Sequence, residues 1–151
     1  MKAKQEQMNI SGLVEYVHKN SEGKILRKFT KSNLVPTVGK AEVAKLVIAT
    51  GAAADNIAIG TGTTNFAATS TQLTNEYKRD TATTSNVTVS VAGDTAQLVN
   101  TFSITETKAI TESGVLNAAT TGELFAAQTF SAINVANGDS LQVTWKLTIS
   151  T

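Results

Sequence analysis

From residue 141 to 149 the chain alternates without a break. Leu141, Val143, Trp145, Leu147 and Ile149 fall on one side, and Gln142, Thr144, Lys146 and Thr148 on the other. A period of two predicts a strand with one face in a core and one in water. Val87, Val89 and Val91 alternate in the same way with Thr88 and Ser90. Gly93-Asp94 then reads as a two-residue type II′ turn, leading into a strand over 96–102. That turn pairs Val91 with Ala96, Val89 with Leu98 and Ser85 with Phe102. Residues 110–117 and 123–130 form two more apolar strand segments, separated by Ala118-Ala119-Thr120-Thr121-Gly122, and Asn137-Gly138-Asp139 makes the next turn.

The N-terminal third carries a second hairpin. Segments 10–19 and 24–31 flank Asn20-Ser21-Glu22-Gly23, four residues that all suit a turn. A four-residue loop pairs Lys19 with Lys24, sets Glu15 against Lys28 and Tyr16 against Arg27, and gives Val14, Tyr16, Ile25 and Phe29 a common face. After Pro36 the pattern lengthens to a helical period over 38–50. Val43, Leu46 and Val47 are expected to face the core, with Lys40, Glu42 and Lys45 outward and Gly51 as the stop. A short strand at 56–60 follows. Residues 61–75 are polar and Thr-rich and read as an ordered loop, with room for one helical turn near Leu73.

Eight short strands with turns between them, and one short helix over about 38–50, predict an all-β fold. The architecture expected is an antiparallel β-sandwich, jelly-roll-like, formed by one domain over 9–151 behind a polar N-terminal arm, 1–8. Composition agrees. The 151 residues include 24 Thr and 11 Ser, and aromatics are only 5%. Small and β-branched side chains must therefore fill most of the core. The first residues are charged and no apolar run follows them, which reads as an arm rather than a secretory signal. No apolar stretch approaches the length of a membrane span.

Charge is uneven. Residues 1–45 hold nine Lys or Arg against four Glu, and residues 46–151 hold four against eight Asp or Glu. Lys2, Lys4, Lys24, Arg27, Lys28 and Lys31 are accordingly the candidate partner-binding residues, suited to an acidic protein surface. Nucleic acid fits less well, because no stacking aromatics interleave with these cations.

Catalytic chemistry finds little support. The chain has no Cys and a single His, His18, expected half-exposed beside the first turn. Gly60-Thr61-Gly62-Thr63-Thr64 lacks the spacing and the lysine of a phosphate loop. Glu112-Ser113-Gly114 is no nucleophile elbow, since Thr111 stands where the first glycine belongs. Asp55, Asp80, Asp94 and Asp139 fall at turns or strand ends, where aspartate bonds its own backbone. Trp145 is expected in the core, leaving Tyr77 as the one aromatic expected at the surface. No enzyme, cofactor or metal is implied.

Residues 57–64, Ile-Ala-Ile-Gly-Thr-Gly-Thr-Thr, followed by Leu73-x-x-Glu76-x-x-Arg79, resemble a pattern in small virion proteins of tailed phages. Phe102-Ser103-Ile104 and the segments 110–117, 130–134 and 138–148 are similar to the same family's central and closing strands. The resemblance covers roughly 57–149. It implies a non-enzymatic virion protein, a capsid decoration (cement) protein assembled in the host cytoplasm. Its partner would be the major capsid protein, and its own assembly a trimer on the capsid surface, with no nucleic acid or membrane. A tail, baseplate or fibre-associated module, including a receptor-binding one, is the first alternative, and a host-derived binding module the second.

Overall fold

Among residues 7–150, which the computed structural model describes, nine strands and one helix follow in chain order. They are β1 (Asn9–Lys19), β2 (Ile25–Ser32), α1 (Thr37–Val47), β3 (Asn56–Gly60), β4 (Glu76–Thr81), β5 (Thr83–Val87), β6 (Thr95–Ser103), β7 (Lys108–Leu116), β8 (Leu124–Val135) and β9 (Ser140–Ser150). They build two antiparallel sheets, one of five strands in the order β2-β1-β9-β6-β5 and one of four in the order β4-β3-β7-β8. The protein is an all-β sandwich.

β9 shows why. It lies between β1 and β6, and its Leu141, Val143 and Trp145 are fully buried. Burying one such side chain contributes about 1.5–3 kcal/mol. Across the sandwich, Trp145 Nε1 donates to Ser113 Oγ of β7 at 3.2 Å, so the indole fills the core without leaving its N–H unpaired. At the β2–β8 side, Tyr16, Phe29 and Phe130 pack as a trio, with ring centroids 4.2 to 5.8 Å apart. β7 is buried from Ile110 to Leu116. Its second face is covered by loop 61–75, whose Leu73 packs with Ala58, Leu116, Leu124 and Ala127 in a smaller cluster outside the sheet.

Several local expectations are corrected. β4, which directly follows the expected loop 61–75, is an unanticipated edge strand paired with β3, and no helical turn forms near Leu73. The first hairpin keeps its faces but shifts by two residues, pairing Tyr16 with Phe29 and Glu15 with Thr30. The turn is one residue longer than expected, with Lys19 opposite Ile25, and a bulge between His18 and Lys19 adds the second residue; Ile25 is exposed. Because a two-residue slip leaves every side chain on its own face, Glu15 still reaches Lys28 at 3.4 Å.

The second hairpin departs further. β5 ends at Val87, opposite Thr95, and Val89 and Val91 are exposed in a loop. Asp94 is the cause. Its carboxylate accepts the N–H groups of Val89, Ser90 and Val91 at 2.9, 2.8 and 2.8 Å, which removes them from any ladder.

The helix is shorter than expected and turned in part: Val43 packs on the core and Lys40 and Lys45 are exposed as expected, but the rest of the apolar face is not the buried one. Gly39 and Glu42 are its buried residues, whereas Leu46 and Val47 are 40% and 77% exposed. Gly39 sits so close to β8 that a Cβ would collide with the Phe125 carbonyl oxygen. Glu42 turns inward to accept from Lys45 Nζ at 2.6 Å and Asn117 Nδ2 at 3.1 Å. Ala49, not Gly51, takes the left-handed conformation that ends the helix, with φ of 55°.

Candidate functional site

Of the six cations expected to meet a partner, Lys2 and Lys4 lie outside the described residues. The other four mark the edge strand β2 and its entrance, where Lys24, Lys28 and Lys31 are exposed. Ile25 and Leu26, 53% and 52% exposed, stand among them. Arg27 is different. It stacks over Phe29 at 4.5 Å and donates from Nη1 to the carbonyls of Ser131 and Ala132 at 3.3 and 2.6 Å. Its guanidinium is engaged in closing β2 onto β8. What remains is a strip of three lysines with two apolar side chains along one sheet edge.

Buried polar groups are the other place where chemistry could reside; the Tyr16 and Tyr77 hydroxyls and the Asn33 amide are enclosed without a hydrogen-bond partner among the described residues, whereas the buried charged groups are used internally. Glu112, wholly buried on β7, accepts the N–H of Asn75 at 2.7 Å, of Thr74 at 3.0 Å and of Gly62 at 3.1 Å. A side chain on Gly60 or Gly62 would collide with that carboxylate, so the Gly-Thr-Gly segment is what lets loop 61–75 close over it. Arg79 forms a fork with Glu76, Nε to Oε1 at 3.0 Å and Nη2 to Oε2 at 2.6 Å. Its Nη1 donates to the carbonyls of Ala118 and Thr121 at 2.9 and 2.6 Å, pinning the β7–β8 loop. The residues of the Gly60-x-Gly62 and Leu73-x-x-Glu76-x-x-Arg79 patterns thus meet as one scaffold on the outer side of the smaller sheet.

His18 is buried, not half-exposed, and its Nε2 lies 2.7 Å from Asp139 Oδ2. The same oxygen accepts the Ala136 N–H at 2.9 Å. The hydrogen bond from His18, then that from Ala136, hold the Asp139 carboxyl below its usual range. Asp94 is also held well below the carboxylate range, first by the Val91 N–H, then by those of Val89 and Ser90. Both are loop clamps, one at each end of the sandwich. Tyr77, expected at the surface, is half-buried against the core with its hydroxyl enclosed, and Lys78 and Lys108 Nζ lie 5.6 and 5.4 Å from its ring.

Sequence reasoning missed the His18–Asp139 and Glu112–loop contacts because 121 and up to 50 residues separate the partners. The one local signal was the Gly60-x-Gly62 pair, which marks a close approach without saying to what.

A groove of about 770 Å³ lies between α1 and the β5–β6–β9 side of the larger sheet, walled by Val43, Leu46 and Val47 opposite Thr84, Ser85 and Asn86. Among the described residues there is no group of three His, Asp or Glu able to hold a metal ion, and no helix long and apolar enough to cross a membrane. The fold and surface define an all-β sandwich with internally clamped loops and two unlike sheet edges. Scans against protein-family models, curated proteins and solved structures return no match.

Proposed function

We propose that this protein is a non-enzymatic structural component of a tailed-phage particle, a decoration protein that sits on the capsid surface and binds the major capsid protein. The observation that carries this reading is the exposed strip on β2, where Lys24, Lys28 and Lys31 stand beside Ile25 and Leu26. Lysines around exposed apolar side chains suit an acidic protein surface that offers charge at its rim and apolar contact at its centre. The clamped loops support it too: Glu112, Arg79, Asp94 and Asp139 each hold backbone groups from a loop, which suits a rigid module that binds without rearranging.

Quantitative mass spectrometry of separated heads and tails tests the reading. Hundreds of copies per particle, all in the head fraction, are expected. A few or a few dozen copies with the tail would instead assign it to tail or baseplate. Absence from purified particles would overturn both.

A further inference from the structure

A two-sheet sandwich has four edge strands, and three of these are defended. β4 carries Glu76, Lys78, Arg79 and Asp80. β2 carries Arg27, Lys28 and Lys31. β8 has no charge but is covered: Leu34 and Ala127 exchange both backbone hydrogen bonds at 2.9 Å, and Arg27 takes up the carbonyls of Ser131 and Ala132. Charge and covering are the ordinary means by which an edge avoids adding a foreign strand.

β5 has neither. Its sequence, Thr83-Thr84-Ser85-Asn86-Val87, holds no charge and no proline, and four of its five residues are exposed. Its pairing with β6 runs without a bulge. Among the described residues no other backbone group bonds to it.

The geometry points to β5 as a self-association site: two copies of this chain pair antiparallel along β5 across a two-fold axis, joining their larger sheets into one. A pairing centred on Ser85 sets Ser85 opposite its own copy, Thr84 opposite Asn86 and Thr83 opposite Val87. Every cross-strand pair is neutral, and most can exchange side-chain hydrogen bonds. The same operation on β4 would set Lys78 against Arg79, and on β2 it would crowd three cations against three.

The surroundings add apolar area. Val89 and Val91, 58% and 69% exposed, continue from the end of the strand, and Thr84, Ser85 and Asn86 form one wall of the apolar groove beside α1. An isologous strand pair closes at two copies, so a dimer takes the place of the trimer anticipated from the sequence.

Light scattering coupled to size exclusion, on the full chain over a range of concentrations, tests this. A dimer is expected, with Ser85→Lys shifting it to monomer while circular dichroism and thermal unfolding stay those of the parent. Thr83→Lys serves in the same way should Ser85→Lys fold poorly. Because the chain has no native Cys, Ser85→Cys gives an independent readout. Opposed residues of an antiparallel pair lie about 4.5–5.5 Å apart, within disulfide reach. Mild oxidation should therefore cross-link this variant at least tenfold faster than the exposed control Thr120→Cys. A monomer at all concentrations, a trimer, a dimer indifferent to both lysine variants, or cross-linking no faster than the control would each overturn the proposal.

Discussion

β2 and β5 flank the same five-stranded sheet and differ in almost everything else. β2 is an eight-residue strand with three cations, one of them turned back over Phe29 to close the sandwich against β8. β5 has five residues and no charge. The backbone of an edge strand offers the same unpaired groups in both cases, so side chains decide what each edge can accept. A cationic edge repels its own copy and attracts an acidic surface, whereas a neutral edge of Thr, Ser and Asn tolerates its own copy. On this account one edge meets the capsid and the other meets a second copy.

The contrast can be broken at several levels. Trp145 stands on β9, at the middle of the sheet, and serves both edges alike. Trp145→Ala should cost about 3–5 kcal/mol in chemical denaturation and abolish capsid binding and self-association together. Loss of one activity alone would mean that the edges do not depend on a common core.

Acid should act next. Asp94, near the end of β5, and Asp139, beside the start of the β1–β2 hairpin, are both held below the ordinary carboxylate value of 3.8 by hydrogen bonds in the folded state. Such groups bind fewer protons folded than unfolded at acid pH, so their stabilisation is complete above the unfolded value and is lost as pH falls through the folded one. Stability should therefore hold steady from neutral pH down to about pH 5 and fall below pH 4. Asp94→Asn should flatten that fall and speed hydrogen exchange at Val89, Ser90 and Val91, leaving β2 protected. Uniform exchange through both edges would contradict a local clamp.

Smaller effects separate the β2 cations from one another. Arg27→Ala removes the donor to two β8 carbonyls and should cost about 1–2 kcal/mol of stability in urea unfolding. Lys28→Ala, whose partner Glu15 is 3.4 Å away at a solvated surface, should cost less than about 0.5 kcal/mol. Equal costs for the two would remove the distinction between the structural cation and the solvated ones.

How much of this was legible in the sequence depends on how far apart the deciding residues lie. β9 could be read directly, because Leu141 to Leu147 alternate and their alternate burial follows that pattern. β3, β7 and the start of β8 were equally plain. β4 was hidden because Glu76, Lys78, Arg79 and Asp80 leave an edge strand no apolar face to detect. The β5–β6 register differs from the expected one because Val87, Val89 and Val91 alternate like a strand, whereas the Asp94 carboxylate takes the N–H groups of Val89, Ser90 and Val91 and ends the strand at Val87. The helix was rolled by Gly39 against β8, a contact that periodicity cannot show.

For the candidate site, the cations of β2 were legible as charge, but the engagement of Arg27 was not, since its carbonyl partners stand over 100 residues away. The bare edge at β5 became visible only when all four edges could be compared.

The central claim, that the β2 edge docks on an acidic capsid surface, is tested most directly by binding to purified capsids that lack this protein. The double variant Lys28→Glu, Lys31→Glu should lose at least tenfold in affinity at low salt, and binding of the parent should weaken as salt rises. Ser85→Lys should keep the intrinsic affinity of each copy. Undiminished and salt-independent binding by the double variant would contradict the account.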